Sequence, residues 1–362
     1  MKYIDEYRQI EAVQQFIGLI HEVAGSRLMT FMEVCGTHTM AIARSGIRQL
    51  LPETLSLISG PGCPVCVTPN RLIDRAVALS RRRDVLLATF GDMMKVPGST
   101  SSLDREHAAG RDVRVVASTL EALELARQNP SKNVVFIGVG FETTAPTVAA
   151  SILEAENQGI DNYKVLSAHK VMPPAMRALC AGELNLDGFL CPGHVSTIIG
   201  SKPYVFLARE FQMPCVIAGF EPLDIVQAVF MLARQVRQDT PSVEIQYTRA
   251  VRPEGNPQAL KIVDRVFEPC ESEWRGIGII PESGLRIRDV FAGRDAESIS
   301  VDVEPFRETR GCLCGRVLQG LAVPPDCPLF GKACTPDEPI GPCMVSSEGS
   351  CAAYYKYQWQ PA

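Results

Sequence analysis

The chain has no apolar run long enough to cross a bilayer. Its longest, Val134–Phe141, is far below the roughly 20 residues a membrane helix needs. The first residues, MKYIDEYRQI, are charged where a secretion signal would be apolar. No basic run exceeds Arg81–Arg83, and 36 Lys+Arg against 41 Asp+Glu leave a net charge of −5, so the electrostatic footprint of a nucleic-acid binder is missing. Thirteen cysteines in 362 residues are too few for a disulfide scaffold. The phosphate-binding pattern GxxxxGK[ST] does not occur. Gly138-Val-Gly140-Phe-Glu-Thr lacks the third glycine of a dinucleotide fingerprint, and no Cys-x3-Cys-x2-Cys is present. These absences weigh against P-loop, Rossmann and radical chemistries and leave a protein expected in the cytoplasm, with no nucleic-acid or membrane partner.

What is present is ordinary globular composition, 46% apolar and 21% charged, in a chain two to three domains long. Ile4, Tyr7, Ile10, Val13, Phe16, Ile17, Ile20 and Val23 recur at helical spacing, which predicts an amphipathic packing helix over residues 4–24. Beyond it, short apolar runs alternate with helical stretches: Thr30–Val34, Leu55–Ile58, Val85–Phe90, Val113–Ala117, Val134–Val139, Lys164–Leu166, Phe189–Leu190 and Val216–Ala218. Buried strands alternating with helices predict a parallel α/β fold with its sites at the strand C-terminal ends.

Two halves of this region repeat at an offset of about 100 residues, in four pairs of blocks. CGTHT (Cys35–Thr39) is answered by GFETT (Gly140–Thr144), and SGPGCPVCVTP (Ser59–Pro69) by SAHKVMPP (Ser167–Pro174). FGDMMKVPGS (Phe90–Ser99) is answered by LCPGHVSTIIGS (Leu190–Ser201), and Val115–Arg127 by Val216–Arg234. The expected organisation is two similar α/β domains, 1–130 and 131–240, facing a shared cleft. A third unit, 241–362, carries a loop-rich tail.

Three cysteine groups carry chemistry. Cys35 stands where a strand meets a helix start, where the helix dipole favours a thiolate, and His38 is placed to share its proton. Cys63-Pro-Val-Cys66, flanked by Gly and Pro, puts two sulfurs within reach of each other or of one soft metal. Six cysteines, Cys312, Cys314, Cys327, Cys334, Cys343 and Cys351, crowd the last 51 residues. Taken as Cys312-x14-Cys327-x6-Cys334-x16-Cys351 they supply four thiolates on loops, a set suited to a 4Fe–4S cluster, with zinc the alternative on spacing alone.

The blocks CGTHT, GPGCPVC (Gly60–Cys66), TFGDMMKVPGS (Thr89–Ser99), GFETTAPT (Gly140–Thr147), PGHVSTIIG (Pro192–Gly200) and the tail Asp326–Tyr357, in this order, resemble the HypD family of hydrogenase maturation factors. The resemblance spans nearly the whole chain. It implies a role in assembling the Fe(CN)2CO centre of NiFe hydrogenases, with the small chaperone HypC sharing the iron and HypE donating cyanide. It further implies two similar α/β domains beside an iron–sulfur domain. Cys35 becomes the ligand of a transient iron with His38 its neighbour, Cys63 and Cys66 a dithiol/disulfide pair, and Asp92, Glu142, Thr143, Thr144 and His194 the residues expected around the bound cofactor. The competing readings are a cluster-dependent thiol/disulfide oxidoreductase and a zinc-stabilised interaction protein.

Overall fold

The computed structural model describes residues 9–182, 186–305, 307 and 310–359. Each of the eight expected apolar runs forms a strand. They are β1 (Met29–Glu33), β2 (Leu55–Ser59), β3 (Val85–Thr89), β4 (Val113–Val115), β5 (Asn133–Gly140), β6 (Tyr163–His169), β7 (Gly188–Pro192) and β8 (Cys215–Ala218). A ninth, β9 (Val243–Ile245), and an antiparallel hairpin, β10 (Phe267–Trp274) with β11 (Gly278–Ile287), follow. The central strands β3, β7 and β8 are buried at every position, as parallel strands covered by helices on both faces must be. The edge strands β4 and β9 are short and partly exposed.

Two parallel sheets result, one ordered β2-β1-β7-β8-β9 and the other β4-β3-β5-β6. In the sequence repeat, β1–β4 correspond to β5–β8. Written by position in the repeat, and with the second sheet taken from β6, both sheets run 2-1-3-4. In each, the first two strands come from one repeat and the last two from the other. The repeats are therefore exchanged between sheets rather than each forming its own. The expected boundary at 130/131 runs through the second sheet, separating β3 and β4 from β5 and β6. The one at 240/241 cuts β9 away from the first sheet, which it completes beside β8.

The N-terminal helix, Ile10–Ala24, packs on Pro222–Gln238, with the Phe16 and Phe230 rings edge to face at 5.8 Å. Ile4 and Tyr7 lie outside the described residues. The hairpin covers the free edge of β6 through a bridge between Lys170 and Gly284. Among the described residues the tail contains only short helices, Cys314–Leu318, Pro342–Val345 and Ser350–Tyr357, besides a single 3-10 turn at Pro324–Asp326, and Ser350–Tyr357 packs on the helix Gly36–Ser45. Among the described residues no helix is long and apolar enough to cross a membrane.

Candidate functional site

The chain leaves β1 and turns into the helix Gly36–Ser45 at Cys35, whose backbone is extended (φ −148°, ψ 123°). The Cys35 sulfur accepts the main-chain N–H groups of Thr37 and His38. The loop after β2 is pinned against this turn, Gly36 N–H donating to the Gly62 carbonyl at 2.9 Å. A Cβ at position 62 would overlap the Cys35 main chain, so only glycine lets the two loops meet. Gly62→Ala should therefore cost about 1–3 kcal/mol in denaturant unfolding, because main chain cannot yield as a flexible side chain does. An unchanged midpoint would show that the loops are not interlocked.

Cys63 and Cys66 are joined as a disulfide with Cα atoms 5.2 Å apart. Cys35, Thr37, Gly62 and Pro64 line a cavity of about 360 Å³ together with Phe141, Thr143 and Thr144 from the second sheet and His194 from the end of β7. Both repeats thus contribute to one cleft. Four of the sequence candidates, Cys35, Thr143, Thr144 and His194, meet there.

Five others do not line it: Cys63 and Cys66 sit in the loop whose Gly62 and Pro64 do, and Asp92, Glu142 and His38 lie elsewhere. Asp92 is exposed beyond β3. Glu142 is buried away from the cavity, with one carboxylate oxygen accepting from the Met172 N–H at 2.9 Å to cap the helix Met172–Cys180. Burial pushes its pKa up to about 7. The His38 imidazole bonds through Nε2 to the Gly219 carbonyl at 2.9 Å, and its ring lies 4.7 Å from that of Phe220. His38 reaches the Cys35 sulfur with its main chain, and burial lowers its side-chain pKa to about 4, so it is a neutral packing group at pH 7. His194, stacked on the Phe220 ring at 4.0 Å, is the imidazole that lines the cavity.

One cavity residue was not singled out by spacing. Glu348, on the tail between Cys343 and Cys351, accepts from the Thr37 hydroxyl at 2.5 Å, and a Cβ at Gly36 would come within 2.6 Å of its side chain. Burial first, and the Glu348 charge second, push the Cys35 pKa up to about 11. The helix-end expectation of a ready thiolate is thereby corrected, since desolvation and a nearby carboxylate outweigh the dipole. Cys35 is a protonated thiol at neutral pH, from which a soft cation must displace the proton.

In the tail, Cys314 is in sulfur contact with both Cys312 and Cys343, and Cys343 also with Cys351. Cys334 lies within the electrostatic reach of Cys351 and Cys327, and its sulfur accepts the Ile340 N–H at 3.3 Å. Among the described residues no three His, Cys, Asp or Glu side chains converge as ligands of a single ion. The sulfur contacts that run through Cys312, Cys314, Cys343 and Cys351 bring soft donors together as a cluster of several metal atoms or a zinc ion requires. Arg275 adds a second fit. It is held by Val67 and Thr68, its charge acts on Cys314, Cys343 and Cys312, and its buried Nη2 has no hydrogen-bond partner. A buried cation with an unspent donor facing thiols matches an anionic group among them.

Comparison with known proteins defines the class, that of hydrogenase maturation proteins. The family profile described as Hydrogenase formation hypA family, HypD, matches residues 11–358. The chain is 48% identical over 367 residues to the hydrogenase expression/formation protein HupD of Azotobacter chroococcum mcd 1, covering 99% of this chain and 97% of the relative. It is 47% identical over 370 residues to the hydrogenase maturation factor HypD of Rhizobium leguminosarum bv. viciae, covering 99% and 96%. To HypD of Rhodobacter capsulatus it is 43% identical over 373 residues, covering 99% and 98%. The chain belongs to the HypD family.

Proposed function

We propose that this protein holds an iron ion in the cleft between its two sheets while cyanide and carbon monoxide are added to it, as a scaffold for the Fe(CN)2CO centre of a NiFe hydrogenase. The observation that carries this reading is the cavity itself, which brings one soft donor, Cys35, together with an imidazole and the Cys63–Cys66 loop. A single thiol leaves most of the iron's coordination positions open. A cysteine of the partner HypC supplies the second, and HypE supplies cyanide from a thiocyanate. Releasing cyanide from sulfur takes two electrons and leaves a thiol. Oxidation of the Cys63/Cys66 dithiol to its disulfide provides those two electrons and two protons, so the step balances.

The resident cofactor of this reading is a 4Fe–4S cluster on Cys312, Cys327, Cys334 and Cys351, which would restore the dithiol by supplying electrons. Arg275 bridges the two regions, since it bonds the main chain just past Cys66 and balances charge among the tail thiols. Thr37, Glu348 and the main chain of His38 fix the Cys35 sulfur, and Thr143 and Thr144 present hydroxyls from the opposite wall. Infrared spectroscopy of the anaerobically purified complex with HypC tests the proposal. Cyanide and carbonyl stretches are expected, and their absence from an iron-replete complex would refute it.

A second reading, a cluster-dependent thiol/disulfide oxidoreductase, is favoured by one contact: the Cys66 sulfur lies 3.9 Å from the carbonyl of Pro342, the residue before Cys343. It expects disulfide reduction of a partner with no cyanide bands.

The two histidines give a contrast. His38→Ala should lower stability by about 1–3 kcal/mol in denaturant unfolding through the orphaned Gly219 carbonyl and lost packing. His194→Ala should leave stability nearly unchanged and alter the cyanide band positions. Equal effects of both on the bands, with no stability difference, would return His38 to the site.

A further inference from the structure

A second cavity, of about 420 Å³, lies at the end of β6, between the helix Asn70–Ser80 and the hairpin. In the repeat, β6 stands where β2 stands, and its loop Ser167–Pro174 answers the loop that carries Cys63 and Cys66. Lys170 is 3% exposed there, and its ammonium donates to the Ser272 hydroxyl and to the Glu273 carbonyl at 2.8 Å. Among the described residues no carboxylate pairs with it. The Glu273 carboxylate is held by Arg71 at 2.9 Å and that of Glu297 by Arg75 at 3.0 Å. Cys270, which faces Lys170, is kept a neutral thiol by burial and supplies no counter-charge at neutral pH. Burial lowers the lysine pKa to about 8, which still leaves it charged at pH 7.

Beside it, His169 is 1% exposed and lines the same cavity, and its Nε2 has no partner. Its tautomer follows from the neighbours. The Ser167 hydroxyl donates its only proton to the Leu285 carbonyl at 2.7 Å, so toward His169 Nδ1, 3.1 Å away, it acts as acceptor. Nδ1 then carries the ring proton. The neutral ring presents Nε2 as a lone pair that needs a donor.

We propose that this cavity binds a small oxyanion that carries a hydroxyl, such as hydrogen phosphate or bicarbonate, its charged oxygen on Lys170 Nζ and its O–H directed to His169 Nε2. A buried cation lacking a carboxylate and a buried acceptor lacking a donor are both satisfied by one ligand of this class. Sulfate has the charge without the proton and is rejected, because its oxygens face the His169 lone pair.

Calorimetric titration of the full-length reduced protein at constant ionic strength tests this, with inorganic phosphate, bicarbonate and sulfate as separate ligands. Saturable binding of phosphate, of bicarbonate or of both is expected, and which of them binds identifies the source. Sulfate should bind at least about tenfold more weakly, as for a lost buried hydrogen bond. Lys170→Met should weaken binding ~10–100-fold, the worth of a charge-assisted hydrogen bond. Slower alkylation of Cys270 by iodoacetamide on adding phosphate would locate the ligand. No binding of phosphate or bicarbonate to the wild-type chain, sulfate bound as well as phosphate, or full binding by folded Lys170→Met each overturns the proposal.

Discussion

Cys35→Ser should abolish the cyanide and carbonyl bands of the complex with HypC while leaving cluster absorbance at its wild-type level. A serine hydroxyl preserves the shape of the turn and still accepts from the Thr37 and His38 N–H groups, so the fold around β1 is unaffected. It removes the one soft donor that the cavity offers to iron, and oxygen does not replace thiolate for a low-spin centre bearing strong-field ligands. Infrared intensity per protein is the measurement, with visible absorption as internal control. Bands of full intensity in Cys35→Ser would move the iron to Cys63 and Cys66.

The second large effect is expected in the tail. Cys327→Ala or Cys334→Ala should eliminate bound iron and sulfide in the absence of other metals, whereas Cys343→Ala should retain both. Cys334 sits within reach of the charges of Cys351 and Cys327, on the side of the group where Ile340 N–H meets sulfur. Cys343 lies instead between Cys314 and Cys351, next to the residue whose carbonyl contacts Cys66. Removing a ligand leaves loops with few periodic apolar residues to hold themselves, so cluster loss should be accompanied by protease sensitivity confined to the tail. Iron and sulfide analysis of anaerobically prepared single variants decides it. Normal content in Cys327→Ala or Cys334→Ala would assign the cluster to a set containing Cys314 or Cys343.

Much of the fold was legible because parallel strands buried on both faces must be written as continuous apolar runs, as in Val85–Thr89 and Val134–Val139. The half-exposed β9 and the hairpin strands carry no such run and were missed. The repeat was legible too, but not the exchange of its halves. Strand pairing between β1 and β7 joins residues more than 150 positions apart, and nothing local to either strand specifies its neighbour. The same limit governs the site. Position at a helix start places Cys35 at the cleft, while its protonation is set first by burial and then by Glu348, which arrives from the far end of the chain. His38, three residues from Cys35, is placed by the sequence to share its proton, yet helical geometry turns its ring toward Gly219, and His194 faces the cavity.

The exchange of repeats also constrains how the cleft can move. The chain passes from one sheet to the other between β2 and β3 and returns between β6 and β7. The first passage contains Cys63 and Cys66, and the second starts at Lys170, directly after His169 at the end of β6. It crosses a third time after β9, into the hairpin that lies against β6, so the two sheets are tied at three places and share one buried core. Both chemically distinctive loops therefore sit on chain crossings, so the Cys63–Cys66 loop and the Lys170 loop each belong to a connection that the two sheets share.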